Sequence, residues 1–276
     1  MATGKTFHEH LLESLLGSVY SFRQHRIDRD RFSQPEPRRG HAARVSRGFR
    51  QYLWQRWFQP ELEGLSGRDL ATLGVYSDLL PRLAALYQKL GDSYSRDLLV
   101  RILNYRILGP ERAALPLNNP VYWEQREAIR KLIASNREIQ LGFLNWKLFH
   151  YRLAGIGYPM ELLQRPTGIH HIFLLQQYRY RRSAEIGVEA GEYVIDAGAC
   201  WGDASLYFAH RAGAAGKVFA FEFIPGNLEI LEQNLALNPG LRGSVQITGR
   251  PLWSRSGLPM HYRDNGPGSI VSLEPL

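Results

Sequence analysis

The chain has 276 residues, of which 44% are apolar and 12% aromatic, so it can form one large domain or two ordinary ones. Its single cysteine excludes an internal disulfide framework and a cysteine-rich zinc site, and it fits a reducing compartment. No stretch reaches the roughly 20 apolar residues of a membrane span, and the first residues carry no secretory signal, so the sequence predicts a cytoplasmic protein.

The net charge of +8 is concentrated near the N-terminus, because residues 1–60 hold 11 Lys and Arg against 5 Asp and Glu. A helix is predicted over 5–24, a linker with prolines and glycine over 31–42, and an aromatic helix over 43–58. We therefore expect a basic helical extension over 1–64. Its charge favours a solvated arm or contact with an anionic surface, and nucleic acid is the less favoured partner. On the first helix, the leucines predicted to share one side are Leu11, Leu12, Leu15 and Leu16.

A largely helical region is predicted over 65–137. Asp92 or Ser93 is a typical N-cap residue, and Pro81 is expected to break the preceding helix in two. The helices are predicted at 67–90, 95–108 and 121–135.

The pattern changes after residue 138. Short strands are predicted at 147–153 and 158–164, followed by a helix at 170–180. The three histidines of this stretch lack acidic partners at helical spacing, so we interpret them as structural residues rather than metal ligands. They are His150, His170 and His171.

Residues 193–202 are the most informative segment of the chain. Val194 and Ile195 predict a buried strand, which leads through Gly198 and Gly202 into a stretch with helical spacing. A strand that turns into a helix through glycines presents backbone N–H groups and the positive end of a helix dipole to a ligand. The segment therefore predicts a ligand-binding loop.

Two acidic residues help to separate two classes of cofactor. Asp196, at the carboxyl end of the strand, suits a ligand that carries a positive charge. A second predicted strand at 217–225 carries Glu222, which can accept both ribose hydroxyls of an adenosine, as sites for NAD and for S-adenosylmethionine (SAM) both require. A dinucleotide loop needs G-x-G-x-x-G, and the glycine that follows Gly202, Gly213, comes too late for that pattern. SAM is therefore favoured, with NAD as the alternative.

These segments resemble the opening motifs of the FkbM family of SAM-dependent methyltransferases. The resemblance covers about residues 80–276 and is strong over 190–270. It implies an α/β fold, with a partial Rossmann-like methyltransferase sheet of about three strands over 138–276, preceded by the largely helical N-terminal region. It also implies O-methylation of a sugar, glycan, lipid or other small-molecule hydroxyl. The segments that carry it are 193–209, 219–229, 234–238, 253–254 and 264–269.

The resemblance places Asp196, Gly198 and Gly202 at the methionine end of SAM. It places Glu222 at the ribose. Trp201 is predicted to cover one wall of the site, with packing into the core as the alternative, and Cys200 is interpreted as a small loop residue rather than a nucleophile. Asp203 and Ser205 are expected to bond to the free N–H groups of the next helix. No metal is expected. The predicted cofactor-binding residues are Asp196, Gly198, Ala199, Trp201, Gly202 and Glu222.

One feature departs from the family pattern. Members usually continue through an acidic motif on a fourth strand, and no such motif occurs here, so no catalytic residue is assigned. The strand near 193–197 would then form an exposed edge. We therefore expect a fragment of a longer domain, an edge covered by the N-terminal region, or a SAM-binding remnant without activity, and we favour the fragment. An NAD-linked oxidoreductase is a further alternative.

Overall fold

The computed structural model describes residues 5–20, 72, 74–109, 113–181 and 184–276. The predicted linker at 31–42 and the aromatic helix at 43–58 lie outside these residues, as does most of the basic segment. Within the described ranges, every helix is too short or too polar to span a bilayer.

The chain divides into two compact units, 1–120 and 121–276. The border predicted at 137–138 does not coincide with this division, because it falls inside the strand Ile133–Gln140. Backbone pairing joins that strand to the residues after it, so the strand belongs to the second unit.

The described residues of the first unit form helices. Pro81 lies in the first turn of its second helix, directly after the 3-10 turn Ser77–Leu79, where a missing N–H costs nothing. Asp92 caps the third helix, since its Oδ1 accepts a hydrogen bond of 2.8 Å from the backbone N–H of Ser95. The helices are α1 (Phe7–Tyr20), α2 (Leu80–Lys89) and α3 (Ser93–Leu108).

The apolar face of α1 is narrower than the sequence predicted. Leu11 and Leu15 are buried against α2 and α3, whereas Leu12 and Leu16 are 56% and 41% exposed. Residues at i and i+4 lie on one helix face, and their neighbours at i+1 turn towards solvent. Of the four leucines predicted to share one side, Leu11 and Leu15 therefore face the core, and the other two line its exposed margin.

The second unit begins with α4 (Pro120–Ala128) and a 3-10 turn, Ile129–Leu132. The helix predicted over 121–135 ends earlier, because β1 (Ile133–Gln140) is extended and pairs antiparallel with β2 (Lys147–Arg152). The pairing satisfies backbone groups that a longer helix would have bonded internally.

Strand β2 pairs on its other side with β3 (Glu161–Gln164), which gives a three-stranded antiparallel sheet in the order β1-β2-β3. The two strands predicted around 154–157 are thus confirmed. The helix predicted at 170–180 is shorter, because α5 (Pro166–Ile169) and a π-helical turn end at Leu174. Residues 180–181 (β4) pair instead with residues 185–186 (β5).

A second sheet is parallel and carries the predicted motif. Its strands are β6 (Tyr193–Ala197), β7 (Lys217–Phe221) and β8 (Val245–Thr248), in that order. Helix α6 (Asp203–Ala212) connects β6 to β7, and helix α7 (Pro225–Ala236) with the short α8 (Pro239–Arg242) connects β7 to β8. This strand–helix alternation confirms the α/β, Rossmann-like class. A hairpin of β9 (His261–Arg263) and β10 (Ile270–Ser272) follows.

The two faces of the parallel sheet differ in burial. Val218 and Ala220 on β7 are completely buried in the main core, whereas Tyr193 and Ile195 on β6 are 74% and 69% exposed. Strand β6 is the edge of its sheet, as the sequence predicted, but Ile195 is not buried as its β-branched character suggested. Side chains alternate between the faces of a strand, and the described core covers only one face.

Two asparagines, Asn234 of α7 and Asn238 before α8, join the connection after β7 to the antiparallel sheet. Asn234 accepts from the N–H of Leu163 (2.7 Å) and donates to its carbonyl (3.1 Å). Asn238, one turn later, accepts from the N–H of Glu161 (2.9 Å) and donates to its carbonyl (2.6 Å). The amides thus occupy the free edge of β3 as a further strand would. Asn234 also donates to the carbonyl of Trp201 (2.8 Å), in the predicted ligand loop.

The first prediction concerns Asn234→Ala. The substitution leaves the N–H and the carbonyl of Leu163 buried without this partner, so we expect the free energy of unfolding to fall by about 1–3 kcal/mol. Urea unfolding followed by tryptophan fluorescence measures it. Glu229→Ala, at an exposed position of the same helix, is the matched control and is expected to change the stability by about 0.5 kcal/mol or less. Equal midpoints for the two variants would contradict the role of the amide.

Candidate functional site

The predicted loop lies at the carboxyl edge of the parallel sheet. The N–H groups of Gly198 and Ala199 both donate to the carbonyl of Phe221, at 3.0 and 2.9 Å, which folds the loop over the end of β7. Gly198, Cys200 and Gly202 have positive φ angles of 91°, 48° and 79°. The loop is therefore a tightly turned connection. Its N–H groups at Gly198, Ala199 and Gly202 are bonded within the protein, so they are not presented to a ligand as the sequence predicted.

The two glycines of the loop have different surroundings. A Cβ added at Gly202 would lie 3.0 Å from Leu231 Cγ, whereas one added at Gly198 would meet no atom within 4 Å. Gly202 thus lets α6 approach α7, and Gly198 faces open space with an exposed backbone. Gly198 is the point of the loop at which a ligand can approach the main chain closely.

Asp196 ends β6 at this edge and is 9% exposed. Ser205 Oγ, on the first turn of α6, donates to its Oδ2 at 2.5 Å. Ser205 therefore holds Asp196 rather than capping α6, which corrects the prediction. Burial raises the pKa of Asp196, the hydrogen bond from Ser205 opposes this, and the nearby charge of Glu222 adds to the rise. Among the described residues Ser205 is its bonding partner, so Oδ1 is available to a ligand.

Glu222 follows β7 and is also buried. Its Oε1 accepts from the N–H groups of Phe223 and Ile224, both at 2.8 Å, and its Oε2 accepts from the N–H of Cys200 at 2.9 Å. Asn227 Nδ2 adds a contact of 3.4 Å. The structure thus brings Glu222 to the loop, as predicted, but its carboxylate ties two turns together. A ribose hydroxyl would have to share these oxygens with backbone donors.

A third carboxylate, on Asp203, was expected only to cap α6. Its Oδ1 accepts from the N–H of Ala204 at 3.0 Å, and its Oδ2 accepts from Gln164 Nε2 at the end of β3. Burial raises the pKa of Asp203 to about 6, and the charge of Asp196 contributes. Three acidic side chains therefore share one edge, which creates a negative field. The link to Gln164 had no signal in the sequence.

Trp201 differs from its prediction. Its ring is 1% exposed and packs with Leu148 and Ile230, so it is a core residue rather than an open wall. Gly266, in the turn between β9 and β10, lies so close that an added Cβ would be 2.8 Å from Trp201 Cζ2. That turn therefore covers the tryptophan of the loop. The sequence did not indicate which segments of the chain would pack around the Trp201 ring.

Cys200 is a thiol in this environment. It is partly buried, and burial raises its pKa far above the usual range, with the charges of Asp203 and Glu222 adding to the effect. A thiolate nucleophile is therefore disfavoured here, as the sequence interpretation held. Among the described residues, no three acidic, histidine or cysteine side chains gather as a metal site would require.

The loop is an open edge rather than a deep cavity. A cleft of about 400 Å³ lies in the first unit beside His10 and Asn104, and another of about 290 Å³ lies beside Glu161 and Pro239. Neither is lined by the ligand loop. The turn at 250–254 follows β8 at the same edge as the loop, with Leu252 and Trp253 about half exposed.

Comparison with known proteins points to one class of enzyme. The chain is similar to methyltransferase sdnD of Sordaria araneosa, with 38% identity over 77 residues, which are 28% of this chain and 29% of that protein. It is also similar to the solved structure of methyltransferase FkbM from Methylobacillus flagellatus KT, at 15% identity and a TM-score of 0.37, over 72% of this chain and 37% of that one. The chain thus spans about a third of the length of either protein. No protein-family model matches the chain.

The second prediction separates the two loop glycines. Gly202→Ala adds a Cβ against Leu231 at a positive φ, so we expect it to lower the free energy of unfolding by about 1–3 kcal/mol. Gly198→Ala carries the backbone strain without the crowding and is expected to cost less. Urea unfolding measures both. Gly243→Ala, with a φ of −65° and open space, is the control near zero. A larger loss of unfolding free energy in Gly198→Ala than in Gly202→Ala would contradict the conclusion that Gly202 is the crowded glycine of the loop.

The third prediction concerns pH. The folded state keeps the proton of Asp203 up to about pH 6, whereas an unfolded aspartate releases it near 3.8, so the contribution of this group to stability falls as the pH rises through that window. Asp203→Asn should remove this decline, as measured by urea unfolding at steps between pH 4 and pH 7. Glu229→Gln, at an exposed site of α7, should keep the wild-type profile. An unchanged slope in Asp203→Asn would count against the raised pKa.

Proposed function

We propose that this chain binds SAM at the carboxyl edge of the parallel sheet and takes part in methyl transfer to a hydroxyl group. The observation that carries the proposal is the arrangement of buried Asp196 and Glu222 and partly buried Asp203 around a glycine loop that opens at Gly198. Carboxylates in a partly desolvated site attract a cationic ligand strongly. SAM carries an ammonium and a sulfonium, so its charge fits this edge better than the phosphates of NAD do.

The chemistry of the donor set supports the same ligand. Asp196 has a free Oδ1 towards a ligand ammonium among the described residues, and the exposed backbone at Gly198 admits the methionine part. Glu222 bonds to the ligand loop at Cys200 and to the turn at Phe223. We propose that the ribose hydroxyls bind to its carboxylate. The similarity to sdnD, a protein named as a methyltransferase, supports the class of reaction.

When bound, SAM supplies a methyl group that an acceptor oxygen can displace in line. The chain's own part is to bind and orient the donor and to exclude water from the reacting atoms. Asp196 and Ser205 bond to each other and fix the end of β6. Glu222 fixes the loop, so all three residues also position the site. We propose a sugar, glycan, lipid or other small-molecule hydroxyl as the acceptor, on the strength of the family resemblance.

A second candidate is SAM binding without catalysis. The exposed side chains of Tyr193 and Ile195 favour it, because the described residues leave one face of the sheet uncovered. Methyl transfer needs an acceptor held opposite the donor, and we assign no general base to these residues. Binding of SAM without turnover of any hydroxyl acceptor would support this candidate.

The fourth prediction tests the cofactor. Titration calorimetry should show that the folded chain binds SAM and binds NAD more weakly or not at all. Asp196→Asn and Glu222→Gln should each weaken SAM binding at least about tenfold, or about 1.4 kcal/mol, because the first loses a charge and the second loosens the loop. Glu232→Gln, an exposed residue of α7 paired with Arg242, is the control. No binding of SAM by the folded wild-type chain would refute the proposal.

A further inference from the structure

Arg165 has unusual surroundings for an arginine. Its guanidinium carbon lies 3.5 Å from the centroid of the Trp146 ring, so the planar group stacks on the indole. It follows Gln164 directly at the end of β3 and is partly buried. Stacking fixes the plane of a guanidinium and leaves its N–H edge free to bind a planar or tetrahedral anion with two hydrogen bonds.

The charge of Arg165 is not neutralised within the described part of the chain. Among the described residues, no Asp or Glu lies within ion-pair distance of its guanidinium, whereas Arg152, on the neighbouring strand β2, is paired with Glu161. Burial lowers the pKa of Arg165, and the positive charge of Arg126 adds to the effect. A second guanidinium thus raises the local positive potential. A buried charge without a counter-charge is costly, and an anionic ligand would offset that cost.

The position of Arg165 connects it to the ligand loop. The neighbouring Gln164 donates to Asp203, the first residue of α6 after the loop. Trp146, on which the guanidinium stacks, packs in the same cluster as Trp201 and Cys200 of the loop. Arg165 therefore follows a residue that bonds to Asp203, and it stacks on a tryptophan that packs with the loop.

We propose that Arg165 forms, with the field of Arg126, a binding site for a carboxylate or phosphate group, and that this group belongs to the methyl acceptor. The role in acceptor binding rests on the proposed function, whereas the anion site itself does not. The acidic side chains of the loop repel an anion from the cofactor position, and the stacked guanidinium attracts it to the neighbouring one. The charges thus sort a cationic donor from an anionic acceptor.

The fifth prediction tests the anion site with inorganic phosphate. Titration at constant ionic strength, balanced with sodium chloride, is followed by NMR of the arginine Nε–H signals. The Arg165 signal, assigned by its loss in Arg165→Gln, should shift saturably in the wild-type chain. The phosphate affinity should fall at least tenfold in Arg165→Gln and less in Arg165→Lys, which keeps the charge but not the fork. Arg130→Gln, an exposed arginine paired with Glu127, should bind as the wild type does.

The other arms separate the two proposals and the two kinds of anion. The Kd for SAM in Arg165→Gln should stay within twofold of the wild-type value. Glucuronate should displace phosphate, and glucose should not. Comparing the affinities of methyl phosphate and acetate shows whether the site prefers a phosphate or a carboxylate. Absence of a saturable shift, or equal phosphate binding by Arg165→Gln, overturns the anion site. Phosphate binding that depends on Arg165 in a chain that does not bind SAM refutes the proposed function and leaves the anion site in place.

Discussion

The arrangement of the second unit depends on the side-chain amide of Asn234. It bonds at once to both backbone groups of Leu163 and to the carbonyl of Trp201, so one residue of α7 fixes the antiparallel sheet and the ligand loop to each other. Asn238 repeats the contact at Glu161. Buried backbone groups must find partners, and these amides provide them where no strand does. The loop is therefore fixed by Asn234 of α7 as well as by the end of β7.

The same connection brings opposite charges to neighbouring positions. Once β3 is fixed against α7, Gln164 reaches Asp203, and Arg165 comes to lie on Trp146 beside the loop. Burial raises the pKa values of Asp196 and Asp203, with a smaller effect of nearby acidic groups, and partial burial lowers the pKa of Arg165. Each charge is costly in isolation. A ligand of opposite charge would relieve that cost, which is why we place binding at this edge.

Local patterns were reliable where local contacts decide the structure. The strand–glycine–helix motif, the order of helix and strand after Tyr193, and the cap at Asp92 followed from spacing and residue type. The same reasoning extended a helix to residue 135, because it could not show that β1 pairs with β2. It also predicted that Ser205 caps the helix. In the structure, Ser205 bonds to Asp196, which is nine residues away in the chain. Contacts between distant segments leave no periodic signal.

The sequence by itself determined the class of sheet, the loop with its acidic residues at Asp196 and Glu222, and the methyltransferase resemblance. These depend on neighbours along the chain, whose spacing is written in the residues. The tertiary structure alone decided which donors hold each carboxylate, that Trp201 is core, and that Tyr193 and Ile195 are exposed. It also placed Arg165, which has no ion-pair partner among the described residues, on Trp146, which packs with the loop. Burial and charge coupling arise only when separate segments pack, and these effects turn a binding motif into a site with two polarities.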